Sequence, residues 1–220
     1  MKNRWLSWLY AALLAVLTAT AAPGQDPGTP SAGQLPKEKQ TTPGLYVTAR
    51  EAYEKWRAAP DKVKVLDVRT PEEFILIGHA AMAWNIPLAF QTFEWDSARK
   101  HFAMKPNPDF VAQVKELSAP GDTLLVMCRS GNRSARAVNL LAAAGFQDVW
   151  NVTDGMEGDL VDDPASVFHG QRMKNGWKNS GLPSTYQVDP GRMRLPKHPG
   201  PEAEAVTPPA AGAGAEPTQK

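Results

Sequence analysis

Cysteine is almost absent from this chain of 220 residues, which contains one, Cys128. A single cysteine cannot form a disulfide within the chain, so no internal disulfide stabilises the fold. An unpaired cysteine is either a reactive thiol or a small apolar residue of a core. The residues around Cys128 must therefore distinguish the two.

Further absences narrow the range of functions. The formal net charge is only +1, so the chain has no excess of basic residues of the kind that binds nucleic acid. Neither a glycine-rich dinucleotide motif nor a phosphate-loop motif occurs. The acidic segment with Asp159, Asp162 and Asp163 lacks the pattern of a calcium loop. The histidines are scattered without the spacing of metal ligands: His79, His101, His169 and His198. The sequence predicts no metal, no cofactor and no nucleic-acid partner.

The one long apolar run lies at the N-terminus. Lys2 and Arg4 precede an uncharged stretch, 6–22, in which Ala19–Ala21 supplies small residues for cleavage. This pattern predicts a signal peptide over residues 1–21 and export to the periplasm or the medium. The alternative is an uncleaved N-terminal membrane anchor, because the run approaches the length that spans a bilayer. After cleavage we expect no membrane contact.

Composition divides the rest of the chain into three parts. Residues 22–44 lack apolar periodicity and are predicted to be a flexible linker. Residues 188–220 are rich in Pro, Ala and Gly and are predicted to be disordered, because they cannot bury enough apolar surface to offset the entropy of ordering. Residues 45–187, between them, have the length of one ordinary domain.

Predicted strands and helices alternate within residues 45–187. The strands are expected at 63–68, 83–87, 122–128 and 148–152. Helices are expected after the Thr48–Glu51 capping box, from Pro71, at 107–118 with Asn107 as a cap, from Ser134 to Gly145, and in a last short segment within 170–183. This alternation indicates an α/β fold with a mainly parallel sheet and helices on both faces. Ligands bind at the carboxyl ends of the strands in such sheets.

Cys128 lies at such a strand end, in the stretch VMCRSGNRSARA, residues 126–137. The chain must turn tightly there before a helix that begins near Ser134, and Gly131 and Asn132 tolerate the positive φ that such a turn requires. A loop that enters a helix N-terminus points several N–H groups inward, which favours an anion, including a cysteine thiolate. Three arginines add positive charge: Arg129, Arg133 and Arg136.

A thiolate in an anion-binding loop fits two chemistries. One is attack on phosphorus, as in cysteine phosphatases, and the other is attack on the outer sulfur of a sulfur donor, which leaves a cysteine persulfide. A phosphatase loop needs one residue more than the four that separate Cys128 from Arg133, and Ser134 holds the sixth position. The count favours sulfur over phosphorus.

Several motifs together resemble the rhodanese-like sulfurtransferases in their single-domain form. The segments that carry the resemblance are LDVRTPEEFILIGHAAMAWNIPL (66–88), VMCRSGNRSARAVNLLAAAGF (126–146), NVTDGMEGD (151–159) and NGWKNSGLP (175–183). Asp154 departs from the pattern, since a glycine is common there. The resemblance covers about residues 46–186. It implies a rhodanese-like three-layer α/β sandwich, with a central, mostly parallel five-stranded sheet and helices on both faces.

The resemblance also implies an enzyme that moves sulfane sulfur from an anionic donor such as thiosulfate to a thiol or cyanide. Cys128 would be the nucleophile and persulfide carrier, and Arg133, with Arg129, would bind the donor. The implied substrate-binding residues are Arg129, Ser130, Gly131, Asn132, Arg133 and Ser134. The alternatives are a non-catalytic rhodanese module that carries sulfur or binds a partner and, disfavoured by the loop length, a cysteine phosphatase.

Residues outside the loop are given mainly structural interpretations. Asp67 and Arg69 are predicted to form an ion pair that holds strand to loop, and His79 to satisfy local backbone groups. Four tryptophans are expected to pack in the core or at its rim: Trp84, Trp95, Trp150 and Trp177. The segments 89–110 and 157–172 are longer than a minimal domain of this kind needs. Both could flank the mouth of the active site, where a protein or small-molecule partner would bind.

Overall fold

The computed structural model of the protein describes residues 31–196. The predicted signal peptide, residues 1–21, and the predicted tail beyond residue 196 lie outside the described residues. Among the described residues, no helix has the length and apolar character needed to cross a membrane.

The described residues form nine strands, four α-helices and three short 3-10 helices. The strands are β1 (Tyr46–Val47), β2 (Val63–Asp67), β3 (His79–Ala80), β4 (Trp84–Asn85), β5 (Ala89–Asp96), β6 (His101–Pro106), β7 (Thr123–Met127), β8 (Val149–Val152) and β9 (Ser184–Thr185). The α-helices are α1 (Ala49–Ala58), α2 (Pro71–Ile77), α3 (Phe110–Leu117) and α4 (Asn132–Ala143). The 3-10 helices are Ala32–Gln34, Lys37–Lys39 and Pro190–Arg192.

Five parallel strands form the central sheet in the order β1-β8-β7-β2-β4. The apolar run of β7 is the middle strand, and its four residues from Leu124 to Met127 are fully buried. Asp67 of β2 lies beside Met127 of β7, so Cys128 is the first residue past the carboxyl edge of the sheet. The predicted parallel sheet of five strands is confirmed.

Side chains alternate between the two faces of the sheet and form two apolar cores. On one face, Leu125 and Met127 pack with Ala49 and Ala52 of α1 and with Phe74 of α2. On the other face, buried residues of β7 and β8 pack with α3 and α4: Leu124, Val126, Val149, Phe110, Val114, Ala137, Val138 and Leu141. Successive side chains of a strand point to opposite faces of the sheet, and here both faces are apolar, so helices must cover both of them. This arrangement is the predicted three-layer sandwich.

The sequence predicted the start of α1 correctly but misplaced the starts of two other helices. The predicted capping box of α1 is confirmed, because Glu51 N–H donates to Thr48 Oγ1 (3.3 Å) and Thr48 N–H donates to the Glu51 carboxylate (2.7 Å). Helix α3 begins after Asp109, and Asn107, the predicted cap, lies two residues before it and accepts from Asp109 N–H (3.1 Å). Helix α4 begins at Asn132, two residues before the expected start.

The predicted last helix within residues 170–183 is wrong. This segment consists of turns in the structure. Its glycines at 176 and 181 have φ values of 96° and 67°. These left-handed backbone angles interrupt a right-handed helix.

The predicted linker, 22–44, and tail, 188–220, differ from the structure at the ends that adjoin the domain. Leu35 and Lys39 are buried, and the Lys39 carbonyl accepts from Asn151 Nδ2 (2.9 Å). Met193 is buried, and Arg194 N–H donates to the carbonyl of Asn85 (2.9 Å). Residues 31–44 and 188–196 therefore pack on the domain. Single buried side chains and backbone hydrogen bonds of this kind produce no periodic pattern in the sequence, so the composition of these segments did not reveal them.

A buried ion pair holds the end of β2. Arg69 Nη2 lies 2.7 Å from Asp67 Oδ2, and both side chains have no exposed surface. Arg69 also donates to the Gly78 carbonyl (2.8 Å). Asn85 Nδ2 donates to the carbonyls of Asp67 and Arg69 (3.1 and 3.0 Å). The structural role predicted for the pair is confirmed, as is that of His79, whose Nδ1 lies 3.1 Å from the Phe74 carbonyl.

We expect Arg69→Ala to lower the free energy of unfolding by about 3–5 kcal/mol, because it leaves the Asp67 charge buried without its partner. Arg57→Ala removes an exposed arginine of α1 and is the matched control, with an expected change within about 0.5 kcal/mol. Urea unfolding followed by circular dichroism measures both. Equal unfolding midpoints for the two variants would contradict the structural role of the pair.

Candidate active site

Cys128 lies at the end of the central strand with only 1% of its surface exposed. Its Sγ accepts a hydrogen bond from Gly131 N–H (3.2 Å) and lies 3.5 Å from Ser134 Oγ. Gly131 has the positive φ, 98°, that was predicted for the turn, whereas Asn132 is already the first residue of α4. We call residues 128–134 the Cys128 loop. Of the several inward N–H groups that the sequence predicted, the described residues show one, that of Gly131, donating to Sγ.

Asn151 of β8 supports the loop from behind. Its Nδ2 donates to the carbonyls of Lys39 (2.9 Å) and Gly131 (3.2 Å). Its Oδ1 therefore faces Ser134 Oγ, which lies 2.7 Å away and donates to it. Sequence reasoning missed Asn151. The signal available in the sequence was a polar residue in an otherwise apolar strand, and the structure buries it completely.

A close backbone contact fixes the two peptide groups that follow Cys128. The Cys128 carbonyl accepts from Met156 N–H (2.8 Å), and the Arg129 carbonyl accepts from Glu157 N–H (2.9 Å). A Cβ at Gly155 would lie 2.5 Å from the Cys128 carbonyl oxygen. Only glycine permits this approach, so Gly155 belongs to the site although sequence reasoning did not single it out.

Arg133 is held by an acidic partner. Its Nη1 and Nη2 each lie 2.6 Å from a carboxylate oxygen of Glu73, at the start of α2. Burial alone would raise the pKa of Glu73, but the hydrogen bonds and charge of Arg133 outweigh it, so the pKa lies below its ordinary value. The charge of Arg133 is therefore largely compensated within the protein itself.

Two other arginines add positive charge near Cys128. Arg129 is exposed, and Arg172 donates to the Gly158 carbonyl (2.7 Å). Neither has an ion-pair partner within residues 31–196. Burial lowers the pKa of Arg172 and the charge of Arg129 lowers it further, whereas Glu157, Asp159 and, more weakly, Cys128 oppose the shift. An anion beside both guanidinium groups would relieve their repulsion.

The Cys128 loop opens into a cavity of about 650 Å³. Its lining combines Cys128, Arg129, Arg133 and Arg172 with residues of the hairpin formed by β5 and β6. The hairpin lies within segment 89–110, and Arg172 ends segment 157–172. Both long segments flank the mouth of the cavity, as predicted. Arg172 was missed because its position in a long loop gives no local motif.

Asp154, the departure from the family pattern, ties the surrounding segments together. One carboxylate oxygen accepts from Ala49 N–H of α1 (2.7 Å), and the other accepts from Gly176 N–H (2.9 Å). Burial raises the pKa of this carboxyl group to about 6, although the two backbone hydrogen bonds oppose the shift. Asp154 precedes Gly155, so it anchors the segment that contacts the Cys128 loop.

The parallel sheet and the thiol at its carboxyl edge define a cysteine-centred α/β domain. A family model described as a rhodanese-like domain matches residues 48–160, just over half of the chain. The chain belongs to the rhodanese-like domain family.

Comparisons with individual proteins agree with this assignment. Thiosulfate sulfurtransferase 16, chloroplastic, of Arabidopsis thaliana is 40% identical over 92 residues, which is 42% of this chain and 69% of that protein. Thiosulfate sulfurtransferase 18 of the same organism is 41% identical over 92 residues, 41% of this chain and 61% of that protein. The crystal structure of Rv0390 from M. tuberculosis matches with a TM-score of 0.50 and 26% identity, over 64% of this chain and 96% of that one.

We expect Gly155→Ala to lower the free energy of unfolding by about 3 kcal/mol, because it adds a backbone clash to the cost of a left-handed residue. Gly170→Ala is the matched control, since Gly170 also has a positive φ (76°) but open space around its Cβ position. Its expected cost is about 1 kcal/mol. Chemical denaturation measures both, and equal costs would show that the Cys128 loop can retreat from the added methyl group.

The raised pKa of Asp154 predicts a pH dependence of stability. The folded protein binds this proton more tightly than the unfolded chain does, so stability falls as the pH rises from the ordinary value of 3.8 to about 6. At about 1.4 kcal/mol per pKa unit the whole shift corresponds to about 3 kcal/mol, and between pH 4 and pH 7 we expect the wild type to lose about 2.4 kcal/mol of it relative to Asp154→Asn.

The control for this measurement is Asp61→Asn, which changes an exposed aspartate. Its unfolding free energy should follow the wild type at every pH, apart from a constant offset. If Asp154→Asn and the wild type also differ by a constant amount from pH 4 to pH 7, the proton on Asp154 does not contribute.

Proposed function

We propose that the protein is a sulfurtransferase that carries sulfane sulfur on Cys128 as a persulfide. The observation that carries the proposal is a buried thiol with a backbone donor at 3.2 Å, at the base of a cavity whose free charges are cationic. An anionic sulfur donor fits such a cavity by charge, and the name carried by the two plant relatives supports the same chemistry.

The transfer has two balanced steps. The Cys128 thiolate attacks the outer sulfur of thiosulfate, an Sγ–S bond forms, the S–S bond of the donor breaks, and sulfite leaves with the electron pair. The Gly131 N–H is placed to donate to the persulfide. A thiolate or cyanide acceptor then attacks the terminal sulfur, and the Sγ–S bond breaks to return its electron pair to Cys128.

The position of Arg133 argues against the phosphatase alternative. A phosphate in the Cys128 loop would need an arginine free to bind its oxygens in a bidentate manner. Both Nη atoms of Arg133 are instead hydrogen-bonded to Glu73 at 2.6 Å. The charge that remains for a substrate belongs to Arg129 and Arg172, on the cavity wall.

A non-catalytic carrier would use the same thiol. It would accept sulfur once and release it only to a bound partner, so the two functions differ in turnover rather than in the site. Multiple turnovers of thiosulfate with cyanide favour the enzyme. A single equivalent of persulfide that cyanide does not discharge favours the carrier.

We expect the purified protein to gain the mass of one sulfur atom after incubation with thiosulfate, because Cys128 retains the transferred sulfur. Cys128→Ser should gain none, and Ser184→Ala, which changes an exposed serine outside the cavity lining, is the matched control. Intact-mass spectrometry measures all three. No gain from thiosulfate or from polysulfide would overturn the proposal, and hydrolysis of a phosphate ester that depends on Cys128 would favour a phosphatase.

A further inference from the structure

The β5–β6 hairpin contributes an apolar wall to the cavity that holds Cys128. Trp95, Phe102 and Met104 of the hairpin line the cavity, and we call these three residues the apolar wall. The hairpin forms a separate two-stranded sheet and does not extend the central one. Its side chains are therefore free to serve the cavity rather than the core.

The strand register places the apolar wall on one face of the hairpin. Gln91 lies beside Met104, and Trp95 lies beside Phe102. Residues an even number of positions apart share a face of a strand, and both pairs meet this condition. The register shifts between Gln91 and Trp95, and this irregularity absorbs two additional residues without turning Trp95 away from the cavity.

The wall exposes apolar area that no described residue covers. Trp95 is 57% exposed and Phe102 is 47% exposed. Their rings are 5.4 Å apart and inclined at 75°, an edge-to-face contact that holds each ring in place. A ligand that covers these rings would gain free energy from the apolar surface it removes from water.

The cavity is sized for an organic ligand. Its volume of about 650 Å³ lies within the range of roughly 300–1,000 Å³ that is typical of sites for drug-sized molecules. Thiosulfate has no apolar part, so it would leave the apolar wall exposed to water. Cys128 is 1% exposed, so a sulfur donor must enter the cavity to reach the thiol. A concave site with a buried nucleophile therefore favours a small molecule over a flat protein surface.

We propose that the apolar wall makes the site selective for organic sulfur donors in which an apolar body, such as an aromatic ring, carries an anionic thiosulfonate head. This inference rests on the proposed sulfur transfer. Arg129 and Arg172 attract the head, and the apolar wall covers the body. The Cys128 thiolate attacks the outer sulfur, the Sγ–S bond forms, the S–S bond to the sulfonyl group breaks, and a sulfinate leaves with the electron pair.

The test compares benzenethiosulfonate with methanethiosulfonate. These donors share the reacting group, and the rate of each with free cysteine corrects for their intrinsic reactivity. After that correction we expect kcat/KM for persulfide formation to be about tenfold or more higher for the phenyl donor, the order of discrimination that an apolar pocket achieves. Equal corrected values for the wild type would overturn the proposal without any variant.

Variants locate the preference on the apolar wall. Trp95→Ala should reduce the ratio of phenyl to methyl donor to near one. Phe168→Ala removes another half-exposed ring, on segment 157–172 and outside the cavity lining, and should leave the ratio unchanged. A preference that survives Trp95→Ala, or one that Phe168→Ala abolishes equally, would overturn the assignment to the wall.

A binding measurement separates this inference from the proposed function. Cys128→Ser cannot form a persulfide, so calorimetric titration with benzenesulfonate and methanesulfonate reports the cavity alone. Tenfold tighter binding of benzenesulfonate supports the wall even if no donor transfers sulfur. Equal or undetectable binding of the two anions contradicts a role of the apolar wall in binding, even if the protein turns over thiosulfate. The hairpin would then have another role, such as contact with a protein.

Discussion

The approach of two backbone segments beside Cys128 is the contact on which the site depends. The Cys128 and Arg129 carbonyls each accept a hydrogen bond from the segment that follows β8, at 2.8 and 2.9 Å. Gly155 permits this distance because it has no side chain. The peptide groups around the thiol are therefore fixed by the chain itself. The Gly131 N–H points at Sγ before a substrate arrives, and a donor already in place stabilises negative charge without reorganisation.

Glu73 links helix formation to the charge of the site. Its carboxylate accepts from Thr70 N–H (3.1 Å) and so completes the capping box of α2. The same carboxylate binds both Nη atoms of Arg133. Glu73 thus helps to begin α2 and also neutralises Arg133, which lies one residue before the position that a phosphatase arginine would occupy. The positive charge that remains without an ion-pair partner near Cys128 is that of Arg129 and Arg172, which line the cavity.

Sequence patterns predicted the features that depend on neighbours in the chain. Strand periodicity, the Thr48 cap and the turn at Gly131 are local features, and the structure confirms the predictions made from them. Arg172 and Asn151 reach the site from distant segments, and no local pattern reports which long-range contacts a side chain makes. The predicted helix at 170–183 failed for a similar reason, because Gly176 has a left-handed backbone angle and donates a tertiary hydrogen bond to Asp154 (2.9 Å), neither of which fits a local helix.

Asn107 shows how an insertion can reshape a site without disturbing the core. Its Nδ2 donates to the Pro87 carbonyl (2.8 Å) and its N–H donates to the Leu88 carbonyl (3.0 Å), so it joins the two ends of the hairpin. Leu88 in turn donates to the Val68 carbonyl (3.1 Å) at the edge of the central sheet. The hairpin is thus attached to the domain at its base. The length of the rest of the hairpin and its side chains can therefore vary. Because the core does not depend on those residues, the hairpin side of the cavity lining can change while the Cys128 loop stays the same.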